Sequence, residues 1–225
     1  MTTSQEQSLK PVDYKKNYKT LYSPKSKPEV VKVPLIRFVK AEGMGDPNEE
    51  PFSQLTAALY SFSYAVKMSY KSGNVPEGYY EYKVFPLEGV WDLIDYEKGS
   101  LNKSNYKYAL MIRQPDFLTP NLFQRFLNET KKKKPNEMLD RITLEEIEEG
   151  LCCQMLHVGS YDDEPYSFQQ MMEFCSKEGY ERASMLHREI YLSDPRKTAQ
   201  EKLKTILRFQ IKKGTGSIDV NASKR

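Results

Sequence analysis

The chain contains one short segment twice. Residues 45–53 read GDPNEEPFS and residues 159–167 read GSYDDEPYS, so that both have a glycine, four further residues and then Glu-Pro-aromatic-Ser. The match continues in the same order downstream, where Gly78-Tyr79 and Pro86-Leu87-Glu88 correspond to Gly179-Tyr180 and His187-Arg188-Glu189. A chain with two copies of one unit is expected to fold as a duplicated, pseudo-twofold domain. The seam between its halves is a natural place for a ligand.

Hydrophobic periodicity predicts that each copy is a β-α-β-β unit. In the first copy we expect a strand at 33–40, a helix at 51–70 and extended segments at 79–93 and 106–113. In the second copy we expect strands at 151–158, 180–192 and 203–211 and a helix at 165–178. A connecting helix that starts at Thr119-Pro120 and a short edge strand at 141–147 lie between the copies. The predicted class is α+β, with one curved antiparallel sheet and helices on one face.

The predicted organisation of the chain is an arm, one domain and a tail. Residues 1–32 form an N-terminal arm in which Asp13 caps a short helix that extends to Tyr22. Residues 33–213 form a single domain, with a first repeat at 33–115, a connecting part at 116–148 and a second repeat at 149–213. Residues 214–225 are small and polar, and we expect them to be disordered.

Composition excludes several classes of function. The 225 residues are 39% hydrophobic and 29% charged, which is typical of a soluble globular protein. There is no apolar run long enough to span a membrane, and the start of the sequence is polar, so we expect a cytoplasmic protein. The net charge of +3 is too small to indicate nucleic acid, and we interpret the lysine run 131–134 as a solvated helix end. The three cysteines are not spaced for a metal and are expected to be reduced.

The residues with the most chemistry lie on one predicted strand. In a strand that includes 185–192, His187, Glu189 and Tyr191 share a face, which either borders a ligand site or is exposed to water. The corresponding face of the first copy carries Glu88, with Trp91 close by as either a pocket wall or core. A partly buried glutamate in an aromatic cleft would act as a general acid or base, or it would attract an organic cation.

Other residues complete the candidate site. His157 precedes the second copy of the repeated segment, where a backbone hydrogen bond is more common than a metal. Tyr161 lies within that copy, and Phe168 and Met172 belong to a helical stripe that is either core or adaptable pocket lining. No phosphate-binding loop or dinucleotide motif is present, so no cofactor is expected.

Several motifs together resemble the bacterial GyrI-like small-molecule-binding domain proteins, in particular their stand-alone branch. The resemblance covers roughly residues 12–213, and its motifs are GMGDPN at 43–48, PLEGVW at 86–91, MIRQPDF at 111–117 and HREIYLSD at 187–194. The resemblance implies a duplicated β-α-β-β module with a ligand cleft along its pseudo-twofold axis. It also implies a buried glutamate at the base of the cleft, which Glu189 matches, and aromatic walls at Trp91 and Tyr191.

Three functions follow from this resemblance. The first is binding of aromatic, often cationic, xenobiotics, as in the effector domains of AraC- and MerR-type multidrug regulators. The second is hydrolysis of cyclopropanoid genotoxic drugs, in which Glu189 would assist proton transfer and Tyr191 would hydrogen-bond the drug carbonyl. The third is a protein-interaction module similar to a gyrase inhibitor. We expect a small-molecule partner, no DNA-binding domain, and a monomer or weak dimer.

Overall fold

The computed structural model describes residues 11–99 and 101–214, and the arm before Pro11 and most of the predicted tail lie outside this part. The helices are α1 (Tyr14–Asn17), α2 (Lys19–Tyr22), α3 (Glu50–Lys67), α4 (Pro120–Lys133) and α5 (Glu164–Lys177). The strands are β1 (Glu29–Met44), β2 (Leu87–Leu93), β3 (Tyr106–Arg113), β4 (Thr143–Val158), β5 (Tyr180–Arg182), β6 (His187–Tyr191) and β7 (Lys204–Lys213). The α+β class and the antiparallel sheet are confirmed.

The sheet is closed, a feature that the sequence did not predict. Its strand order is β4-β1-β3-β2-β6-β7, and β4 also pairs with β7, so these six strands surround an interior. The short strand β5 extends the far end of β7. All the ladders are antiparallel.

Helix positions follow from local signals. Thr119 caps α4 by accepting a hydrogen bond from the Leu122 backbone, and proline occupies the first turn of α3, α4 and α5, where an amide hydrogen is not needed. The buried stripe of α3 packs against the sheet; its members are Leu55, Ala58, Leu59, Phe62 and Val66. Met171 and Cys175 of α5 pack in the same way on a smaller apolar cluster of β4 and β7. Helices α3 and α5 therefore cover the outer face of the closed sheet.

Several predicted segments are divided differently in the structure. The two strands expected at 141–147 and 151–158 are one continuous strand, β4, which passes through Gly150 at φ 67° and pairs with β1 on both sides of it. The extended segment at 79–93 is a strand only from Leu87, and the one at 180–192 is interrupted between β5 and β6. The arm helix is two short helices, with Asp13 accepting from the Lys15 backbone as expected.

A buried ionic cluster occupies the interior of the closed sheet. Arg188 forms ion pairs with Glu88 at 2.8 Å and with Glu149 at 2.9 Å, and Glu149 also pairs with Arg208 at 3.3 Å. The Arg188 guanidinium lies 5.2 Å from the ring centroid of Phe38 on β1, a strand that does not neighbour β6. This contact therefore crosses the interior and shows which face of β6 points inward.

The N-terminal arm completes this cluster. Tyr22 of α2 donates its hydroxyl hydrogen to Glu88 at 2.9 Å, and Arg208 donates to the Leu21 backbone carbonyl at 2.8 Å. Leu21 and Tyr22 are both buried. The described part of the arm, residues 11–32, therefore packs as part of the domain. In the described part of the chain, no helix has the length and apolar character needed to cross a membrane.

Candidate functional site

The candidate site lies on the outer face of the sheet, where β2 pairs with β6. In this ladder Gly89 faces Glu189 and Trp91 faces His187. Side chains alternate along a strand, so Glu189 and Trp91 point away from the interior face that carries Glu88 and Arg188. The β2–β6 ladder joins the strands of the first predicted repeat to those of the second, which brings Trp91 next to the His187–Tyr191 strand.

A chain of hydrogen bonds connects the central residues. Trp91 donates its indole hydrogen to the Tyr191 hydroxyl oxygen at 2.9 Å, and that hydroxyl donates to Glu189 Oε2 at 2.8 Å. His187 Nε2 lies 3.1 Å from Glu189 Oε1, and because a carboxylate only accepts, the imidazole is the donor. Glu189 is 9% exposed, so it is held at the base of the site with its edge still in contact with solvent.

A ring of aromatic side chains surrounds this chain. Phe52 of α3 stacks on Trp91, with ring centroids 6.0 Å apart and planes 22° apart. Tyr106 and Tyr108 of β3 contact the same indole at 5.6 and 5.3 Å. On the other side, the rings of Tyr161 and Phe168 lie edge-on to Tyr191 and His187, at 6.1 and 4.9 Å. The walls are therefore aromatic and come from α3, β3 and the start of α5.

Glu164 is the site residue that sequence reasoning missed. It is the glutamate of the second Glu-Pro-aromatic-Ser copy and the first residue of α5, it is 6% exposed, and it lies beside Glu189. Burial and the negative charge of Glu189 raise the pKa of Glu164 well above its usual range. The signal was present in the repeat, but its counterpart Glu50 is exposed, and an acidic residue in a first helical turn is ordinarily exposed.

The two glutamates have different surroundings. Glu189 accepts a hydrogen bond from the Tyr191 hydroxyl and lies 3.1 Å from His187 Nε2. Oε1 of Glu164 is buried without a partner, and the raised pKa of Glu164 favours its protonated form. Burial and Glu189 also raise the pKa of Tyr191 well above its ordinary value, and the same causes raise that of Tyr161 to about 12. Both phenols are therefore neutral hydrogen-bond donors.

Three predicted site residues lie elsewhere. Glu88 is 1% exposed and belongs to the interior ionic cluster, on the opposite face of β2. Met172 is 47% exposed, on the outward side of α5. His157 is buried behind the site, where Nε2 donates to the Ser160 carbonyl at 2.9 Å and Nδ1 accepts from the Ser167 hydroxyl at 2.8 Å. The structure thus brings together Glu189, Tyr191, Trp91, His187, Tyr161 and Phe168.

His157 has a positioning role that its hydrogen bonds define. Ser160 begins the turn before α5 and Ser167 lies within that helix, so the imidazole ties both to β4. This contact orients the segment that carries Tyr161 and Glu164. Over the described part of the chain, no three His, Cys, Asp or Glu side chains are arranged to hold a metal ion.

Comparison with known proteins identifies the family. The profile of the GyrI-like small molecule binding domain matches residues 26–212, and the chain therefore belongs to the GyrI-like family of small-molecule-binding domains. Among proteins with curated descriptions, none matches the chain significantly.

Solved structures from Listeria innocua are similar over nearly the whole chain. An uncharacterized conserved protein is 37% identical with a TM-score of 0.85, covering 89% of this chain and 100% of its own. A protein described as a hydrolase is 36% identical with a TM-score of 0.83 and the same coverage. The C-terminal domain of EcmrR is 11% identical with a TM-score of 0.51, covering 83% of this chain and 98% of its own, a likeness of fold alone.

Proposed function

We propose that this protein binds aromatic organic cations, and related aromatic xenobiotics, in the site at the β2–β6 ladder. The observation that carries the proposal is one buried carboxyl group, that of Glu189, enclosed by aromatic rings. A desolvated carboxylate attracts a cation strongly, and aromatic faces add cation–π attraction. Trp91, Tyr191, His187, Tyr161 and Phe168 would contact the ligand. Membership in a small-molecule-binding family supports the same conclusion.

The strand order supports the expected duplication. Strands of the first repeat run β1-β3-β2, and those of the second continue as β6-β7-β4, so the two halves meet in mirror order at β2 and β6. A pseudo-twofold axis between these strands would pass beside Glu189 and Gly89. We include in this proposal a cytoplasmic monomer or weak dimer that acts without nucleic acid.

Trp91 provides a direct test, because it is the single tryptophan of the chain. Titration with 1-methylquinolinium, a permanently charged aromatic cation, should quench Trp91 fluorescence saturably. Glu189→Gln should weaken binding by at least tenfold, because it removes the negative charge and keeps the shape. Glu148→Gln, an exposed glutamate on β4, is the matched control. Equal affinity in Glu189→Gln and wild type would contradict the proposed anionic site.

A second candidate function is hydrolysis of cyclopropanoid compounds in the same site. Two points favour it: burial and Glu189 raise the pKa of Glu164 in the same site, and one similar Listeria innocua protein is described as a hydrolase. Water would add to a ring carbon and the ring C–C bond would break, with its electrons moving to the conjugated carbonyl oxygen. Glu189 would take a proton from the water and later return it to that oxygen, while the Tyr191 hydroxyl would hydrogen-bond the carbonyl.

Turnover separates the two functions. A cyclopropanoid compound in large molar excess would be incubated with the protein, and ring-opened product followed by mass spectrometry. Many product molecules per protein, lost in Glu189→Gln, would establish the enzyme. Consumption of at most one equivalent would exclude turnover and leave binding as the function.

A further inference from the structure

Glu164 is the group in the site to which the proposed cation binding gives no part. It lies beside Glu189, and its Oε1 is buried without a hydrogen-bond partner. A buried polar atom without a partner is costly, and most buried polar atoms in folded proteins have one. The orphan oxygen belongs to a side chain that lies within the aromatic site, so a ligand can supply what it lacks.

We propose that Glu164 is the proton store of the site: it is neutral while the site is free and releases its proton to solvent when an organic cation binds. The inference rests on the proposed function and adds a selectivity mechanism to it. Cations and neutral aromatic molecules of the same shape would then be distinguished by Glu164, and cation affinity would rise with pH.

The surroundings of Glu164 favour the neutral form before a ligand binds. Two neighbouring carboxyl groups raise the pKa of Glu164: that of Glu189 on β6 and that of Asp162 on the turn that precedes α5. The other titratable groups that face it are the phenols of Tyr161, Tyr191 and Tyr106, on that turn, β6 and β3, and the His187 imidazole that hydrogen-bonds Glu189. The nearby charges are thus negative, and together with burial they hold the proton on Glu164.

A bound cation reverses this balance. A positive charge within about 4–6 Å of a carboxyl group lowers its pKa by about 1–3 units. The proton leaves Glu164 for the buffer, and the site passes from one negative charge to two against one positive charge of the ligand. Ionised Oε1 then gains an electrostatic partner in the cation. A neutral aromatic ligand brings no charge, so it would bind without proton release.

The first repeat supplies a matched control. Glu50 occupies the same place in its copy of the motif, but it is exposed and accepts a hydrogen bond from Gln54 at 2.7 Å. The burial of Glu164 therefore is not a requirement of the Glu-Pro-aromatic-Ser motif as a helix start. Glu50→Gln changes the same chemical group outside the site.

Isothermal titration calorimetry with 1-methylquinolinium and its neutral isostere 1-methylnaphthalene tests the inference. Titrations from pH 5.5 to 9, in buffers of different ionisation enthalpy, give both affinity and protons released. For wild type and Glu50→Gln we expect cation binding to release up to one proton. Affinity should rise by up to about tenfold per pH unit above the usual glutamate range. The neutral isostere should show neither effect.

Glu164→Gln keeps a hydrogen-bond donor toward Glu189 but has no proton to release. Its cation affinity should be independent of pH. Proton release that persists in Glu164→Gln would come from another group and would overturn the inference. Cation binding by wild type without proton release would also overturn it while leaving the proposed function intact. Failure of the cation to bind at any pH would overturn both.

A measurement on the wild-type protein avoids dependence on the folding of any variant. Infrared difference spectra with ¹³C-labelled glutamate report the C=O stretch of a protonated carboxyl group. Addition of 1-methylquinolinium should remove one such band, and 1-methylnaphthalene should leave it. A protonated band that survives saturation with the cation would contradict the inference.

Discussion

Gly89 lies directly opposite Glu189 in the β2–β6 ladder, and the space beside it is filled by the side chains of Trp91 and Tyr191. A Cβ at Gly89 would lie 2.8 Å from Trp91 Nε1 and 3.1 Å from the Tyr191 hydroxyl oxygen. Because Gly89 has no side chain, the Trp91 indole and the Tyr191 phenol can form their hydrogen bond above it.

We therefore expect Gly89→Ala to separate Trp91 from Tyr191. The added methyl group should cost about 1–3 kcal/mol of unfolding free energy, as overpacking generally does. It should also shift Trp91 emission and lower affinity for 1-methylquinolinium. Urea unfolding and fluorescence titration measure these effects. Unchanged emission with unchanged affinity would show that the close approach at Gly89 is not required.

Tyr191→Phe removes a hydroxyl that accepts from Trp91 and donates to Glu189. Loss of this bridge leaves the indole hydrogen without its acceptor, for a cost of about 1–3 kcal/mol. We expect a lower urea midpoint and a changed Trp91 emission maximum, both read from one fluorescence experiment. Tyr166→Phe is the control, because Tyr166 is 70% exposed. Equal effects of the two substitutions would contradict a specific role for the bridge.

The helices and the polar face of β6 could be predicted because both depend on local periodicity. Apolar steps of three and four residues identified α3, and strand alternation placed His187, Glu189 and Tyr191 on one face. The closure of the sheet depends on the pairing of β4 with both β1 and β7, which no local pattern encodes. The division of β4 at Gly150 was wrong because a glycine after two glutamates resembles a turn, whereas β1 pairs with the strand on both sides of it.

The site was only partly predictable for a similar reason. Trp91 meets Tyr191 through a ladder between distant segments, so each residue could be identified from the sequence but their contact could not. Glu88 was expected beside Glu189, but register places it on the interior face with Arg188. The burial of Glu164 depends on how α5 packs over β4 and β7, and its exposed counterpart Glu50 shows that the motif alone does not determine it.

The three cysteines should be unreactive in the folded protein. All of them are free and buried, and burial raises the pKa of Cys152 to about 12 and also raises those of Cys153 and Cys175. Since the thiolate is the reactive form, we expect native protein to react with much less than one equivalent of Ellman's reagent at pH 8. In denaturant all 3 cysteines should react. Leu101→Cys, at a position 99% exposed, is a positive control. Rapid native labelling of wild type would contradict this prediction.

Acid stability should depend on Glu149. Burial opposes its ionisation, but Arg188 and Arg208 outweigh burial, so the pKa of Glu149 is below its usual value. A carboxyl group with a lowered folded pKa stabilises the fold above its unfolded pKa, about 4.3, and this contribution is lost as pH falls through the folded value.

Glu149→Gln leaves two buried arginines with fewer partners, so we expect the free energy of unfolding to fall by about 3–5 kcal/mol at neutral pH. The difference from wild type should shrink as pH falls below the usual glutamate range. Urea midpoints from pH 7 to pH 3 measure it, with exposed Glu148→Gln as the control. A difference that stays constant over this range would show that the charge of Glu149 does not stabilise the interior cluster.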